Sequence, residues 1–226
     1  EVGSSLVEMY SKVSCIDIGK EVFDKLPVRD VISWNTVISG CVEQDHSKEA
    51  FDYFEKMQLH GLSPDSFTLV FILKACDNVK DIAKLQKTNF EIVIKGLERD
   101  LYVANTLVEV YARCGLFLEA EEVFMKLPSR TLVSWNVLMG GYIRHGFNQE
   151  VLLCWEKMCS DGVLPNAPTF VFCLKACGNI RDRDRGQQIH VEIERKGILE
   201  RDIHVGTALF EMYAKLGMLD RAQDVF

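Results

Sequence analysis

Trp34-Asn35 returns 101 residues later as Trp135-Asn136, and the words around it return in the same order. Gly61-Leu62-Ser63-Pro64-Asp65 reappears as Gly162-Val163-Leu164-Pro165-Asn166, and Leu73-Lys74-Ala75-Cys76 as Leu174-Lys175-Ala176-Cys177. A chain that restates itself in this way folds as copies of a small unit, because one such unit cannot bury its apolar face alone and must stack on its neighbours.

The stretch 31–65 shows what the unit is. Trp34, Val37, Ile38 and Cys41 have the i, i+3, i+4, i+7 spacing of a helix with one buried face. A polar break at 44–47 follows, and Ala50, Phe51, Phe54 and Met57 restart the same period, with Ser47 placed to cap this second helix. Gly61 then suits a left-handed C-cap, and Pro64 keeps the chain from continuing as helix. The unit is helix, turn, helix, stop.

Three kinds of unit alternate. A short kind carries Leu6, Leu107 and Leu209 in stretches that align without gaps. A second carries the Trp-Asn word and a third the Leu-Lys-Ala-Cys word. The order is short (1–30), Trp-Asn (31–65), Leu-Lys-Ala-Cys (66–100), short (101–131), Trp-Asn (132–166), Leu-Lys-Ala-Cys (167–202) and short (203–226). Seven stacked hairpins of this kind predict an all-α, right-handed solenoid with first helices lining a concave groove and no sheet. Because Glu1 and Phe226 fall inside repeats, the chain is expected to be a fragment. Its uncapped ends then leave apolar faces through which copies can self-associate.

Composition narrows the chemistry. The formal charge of −7 argues against a protein that coats nucleic acid indiscriminately, so any such role must use a local face. The longest apolar runs, such as 69–73, are too short to span a bilayer. The eight cysteines recur at apolar repeat positions, as Cys76 and Cys177 do, which suits small buried packing residues in a reducing compartment better than disulfides or a zinc site. His190-Val191-Glu192 imitates the start of a zinc deaminase signature, but no Pro-Cys-x-x-Cys follows it. No set of residues points to catalysis and none asks for a cofactor.

Unit lengths near 35 and 31, the words VISWNTVISG, LKAC and LVEMYSK, and the Gly-x-x-Pro-Asp ending resemble the pentatricopeptide repeats of plants, in the subclass whose P, L and S motifs alternate. The resemblance covers the whole chain. It implies binding of single-stranded RNA in mitochondria or chloroplasts, one base per repeat, in the service of cytidine-to-uridine editing or RNA processing, alongside other editing-factor proteins. A deaminase domain in the parent protein would lie outside this chain.

Within that family the fifth and last residues of each repeat touch the base edge. Here these are Ser4 with Asp30, Asn35 with Asp65, Val70 with Asp100, Asn105 with Thr131, Asn136 with Asn166 and Val171 with Asp202; Thr207 stands without its partner. An amide offers donor and acceptor to a pyrimidine, a small hydroxyl leaves room for a purine, and Val offers nothing, so the L units are expected to tolerate any base. The base order expected is G, U, any, pyrimidine, pyrimidine, any, purine. Second-place residues sandwich the base in the family, here Ile32, Phe67, Tyr102, Val133 and His204, while Glu1 and Pro168 depart from the pattern. At the thirteenth place Lys12, Arg113, Arg144 and Lys215 are candidates for phosphate, whereas Glu43 is not; Lys74 and Lys175 sit one turn earlier on the same face.

Other readings stand beside these. Asp30, Asp65 and Asp100 suit helix caps, and Glu109 four places before Arg113 suits an ordinary helix-face ion pair. Trp34 and Trp135 read as core. A peptide-binding scaffold of the tetratricopeptide kind shares the hairpin architecture, although its repeats keep 34 residues.

Overall fold

The computed structural model of the chain describes Met9, residues 16–199 and residues 201–225. Among these residues there are thirteen α-helices and no strand. After α1 (Ile16–Asp24) come six hairpins: α2 (Val31–Glu43) with α3 (Ser47–Leu59), α4 (Ser66–Val79) with α5 (Ile82–Ile94), α6 (Leu101–Arg113) with α7 (Phe117–Lys126), α8 (Leu132–Arg144) with α9 (Asn148–Ser160), α10 (Ala167–Ile180) with α11 (Arg183–Arg195), and α12 (Ile203–Lys215) with α13 (Leu219–Asp224).

Each first helix begins directly after a residue whose side chain caps it. Asp30, Asp65, Asp100, Thr131, Asn166 and Asp202 all have extended or near-extended backbone and accept from N–H groups of the first turn that the helix itself leaves unpaired. Such a cap contributes about 1 kcal/mol. The second helices of the Trp-Asn and short hairpins begin differently. Ser47 is not the cap expected of it: His46 precedes α3 without a side-chain bond to the helix-start N–H groups, and Ser47 is buried with its hydroxyl accepting from Asn78 Nδ2 at 3.1 Å. The next hairpin has claimed the hydroxyl that sequence reasoning assigned to the helix start.

At the other end of α3, Gly61 adopts φ +75°, where a Cβ would meet its own backbone. The turn closes with Gly61 N–H to Gln58 O (2.9 Å) and Leu62 N–H to Met57 O (3.2 Å), the paired bonds of a Schellman stop. Gly162 repeats it at φ +76°.

The apolar stripes face inward as their spacing requires. Trp34, Val37, Ile38 and Cys41 are buried, as are Ala50, Phe51, Phe54 and Met57. Trp34 lies edge-on to Phe23 with ring centroids 4.8 Å apart, so the Trp fills the seam between α1 and α2. Trp135 is likewise core. Five of the seven described cysteines are buried; Cys114 is half-buried and Cys159 is exposed, two exceptions to the packing role expected of all of them. Burial above all pushes the Cys41 and Cys177 thiols up to about 12 and Cys76 to about 11.

The chain divides into two compact units, Glu1–Pro128 and Ser129–Phe226. In the first, α2 packs on α4 and α4 on α6, while α3 closes against α4. In the second, α8 packs on α10 and α10 on α12, while α9 closes against α10. First helix stacked on first helix, hairpin after hairpin, is the solenoid arrangement.

Candidate functional site

Because every last-place residue caps the next first helix, its side chain is held at the N-terminal end of that helix. In the first unit this brings Asp65 to Asn35. Asn35 Nδ2 donates to Asp65 Oδ1 at 3.0 Å and lies 3.1 Å from Oδ2, although the residues are thirty positions apart. Thr68 joins them: its N–H donates to Asp65 Oδ1 (2.8 Å), its hydroxyl accepts from Asp65 N–H (3.2 Å), and the same hydroxyl lies 2.5 Å from Asn35 Oδ1. The second unit contains the same figure. Asn136 Nδ2 donates to Asn166 Oδ1 at 3.0 Å, Thr169 N–H donates to that oxygen at 3.3 Å, and Thr169 Oγ1 lies 2.8 Å from Asn136 Oδ1. Fifth and last places therefore form one hydrogen-bonded cluster in each unit. Neither residue is buried, so each pair keeps hydrogen-bonding capacity for a ligand: Asp65 Oδ2 can still accept, and Asn166 Nδ2, with its Oδ1 turned to the helix end, can donate.

The other sites are less complete. Asp30 caps α2 by accepting from Ser33 N–H (2.9 Å) and Ser33 Oγ (2.8 Å); these bonds, the backbone one foremost, hold its carboxyl below the usual range. Its expected partner Ser4 lies outside the described residues. Val70 is fully buried in the first unit, so it offers a base neither a hydrogen bond nor surface, and Asp100 is a cap for α6, bonded to Tyr102 and Val103 N–H. Val171 is half-buried, and Asp202 caps α12 through His204 and Val205 N–H. Asn105 Oδ1 is buried and accepts no hydrogen bond among the described residues. Thr131 is closed into a reciprocal capping box with Ser134, and exposed Thr207 donates back to Ile203 O (2.9 Å).

Ile32, Phe67, Tyr102, Val133 and His204 are all exposed, unusual for apolar side chains in the first turn of a packed helix. In the first unit the Phe67 and Tyr102 rings stand 6.1 Å apart at 51°, so neighbouring second-place residues meet across α4 and α6.

The thirteenth-place cations Arg113 and Lys215 have partners of their own in the chain. Arg113 still reaches solvent but is paired: its Nε lies 2.9 Å from the carboxylate of buried Asp77, and its Nη1 3.6 Å from Glu109. The pair fastens α4 to α6. Lys215 donates to Asn179 at 2.7 Å, with its stem against Gly178. Lys12 lies outside the described residues. Arg144, Lys74 and Lys175 are exposed. A groove of about 240 Å³ runs beside α2, α4 and α6, where Lys74 and Arg113 face Glu43, Asp77 and Glu109. The larger cavity, about 440 Å³, lies between α5, α6 and α7, away from the Asn35 cluster. Sequence reasoning passed over Asp77, Thr68 and Thr169.

Two models of the pentatricopeptide repeat match the chain, the PPR repeat family over residues 29–78 and 130–179 and the PPR repeat over 102–132, which together span more than half of it. The chain belongs to the pentatricopeptide repeat family. A pentatricopeptide repeat-containing protein of Arabidopsis thaliana is 34% identical across all of this chain and 32% of its own length. Another from the same plant, named as chloroplastic, is also 34% identical and matched over 36% of its length, and one named as mitochondrial is 33% identical and matched over 20%. The chain thus spans well under half the length of these pentatricopeptide repeat relatives. Among solved structures, the maize pentatricopeptide repeat protein PPR10 superposes with a TM-score of 0.71 at 22% identity, over 96% of this chain and 33% of that one. PPR10 in complex with an 18-nt psaJ RNA element superposes at 0.78, over 99% and 33%. These likenesses share the helical-repeat fold described above.

Proposed function

We propose that this chain binds single-stranded RNA selectively, one base per hairpin, as the recognition part of a mitochondrial or chloroplast RNA-editing or RNA-processing factor, and is not itself an enzyme. The observation that carries the reading is the repeated pairing of Asn35 with Asp65 and of Asn136 with Asn166 beside exposed Ile32 and Val133. A fold that needed only helix caps has no use for an amide thirty residues away, held against the cap with one edge left to solvent. Maize PPR10, solved with RNA, lends support from within the family.

On this reading the bases follow as G, U, any, pyrimidine, pyrimidine, any, purine from the N-terminal hairpin onward. Asp65 retains only acceptors and suits the ring N–H of uracil; Asn166 presents its amide donor and suits cytosine N3 within the pyrimidine class. Ile32 and Val133 stack against the bases so held, as Phe67, Tyr102 and His204 do at their hairpins.

The test is Asn35→Thr. With Asp65 kept, a small hydroxyl should move preference at the second base from uracil towards guanine, by about 1–3 kcal/mol if the cost of a mismatched base in a DNA site transfers. Binding to four RNAs that differ only at that base measures it. An equal loss for all four would make Asn35 a residue of the fold and end the reading.

A further inference from the structure

The hydrogens of the Asn35 cluster can be assigned by elimination. Thr68 N–H is a fixed backbone donor and points to Asp65 Oδ1. The Asp65 carboxylate only accepts, so the side of the Asn35 amide that faces it must be Nδ2 and the side that faces Thr68 must be Oδ1. Two oxygens 2.5 Å apart need a proton between them, and an amide oxygen has none to give. The Thr68 hydroxyl therefore donates. Turned instead towards Asp65 Oδ1, 2.9 Å away, it would set two lone pairs against each other and leave Asn35 Oδ1 without a donor. In the second unit, Thr169 N–H fixes Asn166 Oδ1, that oxygen fixes Asn136 Nδ2, and Thr169 Oγ1 is left facing Asn136 Oδ1.

A pattern within the chain separates this contact from capping. The third place of a hairpin carries a hydroxyl in Ser33, Thr68, Ser134 and Thr169, where the fifth place of the hairpin before is Ser4, Asn35, Asn105 and Asn136. It carries Val103 and Val205 where that fifth place is Val70 and Val171. Asp100 and Asp202 nevertheless cap their helices without any hydroxyl at the third place. Capping alone thus does not call for the hydroxyl. At Thr68 and Thr169 the hydroxyl meets the amide oxygen of the preceding hairpin's Asn, whereas Ser134 stays on Thr131 and Asn105 Oδ1 accepts none among the described residues.

We propose that Thr68 and Thr169 are positioning residues for base selection, each donating its hydroxyl to the amide oxygen of the preceding hairpin's Asn so that the Nδ2 edge is held towards the last-place side chain and the base. The inference rests on base reading by Asn35 and Asn136. It makes each site a product of two hairpins and three side chains, so the base chosen by a P unit depends on a residue of the L unit that follows.

The experiment uses this chain with single-stranded RNAs identical except at the second base, followed by fluorescence anisotropy, together with the melting temperature of each variant. Thr68→Val should lower the preference for uracil over the other bases by about three- to tenfold, the range of one neutral hydrogen bond, and leave preference at the fifth base unchanged. Thr68→Ser should restore it. A lost capping contact would instead lower Tm and weaken all RNAs in proportion, so an unchanged preference in Thr68→Val overturns the positioning role while leaving Asn35 as a reader. No preference at the second base in the unaltered chain removes both. If Thr68→Val does not fold, Thr169→Val decides the matter at the fifth base, where an unchanged preference likewise overturns the proposal.

Discussion

Asp65 illustrates how one side chain serves two masters, since its Oδ1 satisfies the start of α4 while its carboxylate also receives Asn35. Asn and Asp cap equally well. Asp65→Asn should therefore leave stability within about 0.5 kcal/mol while replacing the free acceptor by a donor, the state that Asn166 already has; preference at the second base should move from uracil towards cytosine in the same anisotropy titration. A change in stability without a change in preference would show a cap and nothing more. Asp30 gives a pH dependence. Its carboxyl is held below the ordinary value of 3.8 by the Ser33 N–H and hydroxyl, so the stabilisation is fully present above that value and is lost as pH falls through the lower native one. Asp30→Asn keeps the cap and should flatten the acid end of the unfolding curve, whereas Asp30→Ala should cost about 1 kcal/mol at neutral pH as well. Urea unfolding at several pH values checks both.

Between elements, the fastening of α4 to α6 has a definite asymmetry. Buried Asp77 is held by Lys80 (2.6 Å) and Arg113 (2.9 Å), both of which reach solvent. Arg113→Met leaves a buried carboxylate with one cation and should cost about 1–3 kcal/mol; Asp77→Ala removes the buried charge and frees two cations to water, and should cost less. The reverse order in urea unfolding would contradict this account. The same pair shows where the sequence is legible and where it is not. Helix starts at Val31, Ser66 and Leu132 and the stripe from Trp34 to Cys41 depend on neighbours within one turn, so local spacing announces them. Arg113 meeting Asp77, and Asn78 taking the hydroxyl of Ser47, depend on how one hairpin sits on another. That register is not written in any single unit. The pairing of Asn35 with Asp65 became legible only through resemblance to a family, and even then the hydroxyl of Thr68 was passed over, although the alternation of Ser or Thr with Val at the third place was in view throughout.

At the scale of the whole molecule, the proposed RNA binding by a chain with a formal charge of −7 has to run through placed cations, against a net repulsion. Arg113 is spent on Asp77 and Glu109, and Lys215 on Asn179. Lys74 and Lys175 remain exposed at equivalent places on α4 and α10, one in each unit, and Arg144 is exposed on α8. Each phosphate neutralised on a single strand contributes about −0.7 to the slope of log K against log salt. On the proposed function, so few exposed cations at these places among the described residues give a shallow dependence, with most of the affinity expected from stacking and base-edge contacts that salt does not screen. Replacing Lys74 and Lys175 together by Gln should make the slope shallower by about 1.4 and leave the order of base preference alone. Arg113→Gln should weaken folding and leave the slope unchanged. If instead Arg113→Gln flattens the slope and the lysine pair does not, Arg113 leaves Asp77 when RNA arrives, and the ion pair that holds α4 to α6 in the free chain is exchanged for a phosphate in the bound one.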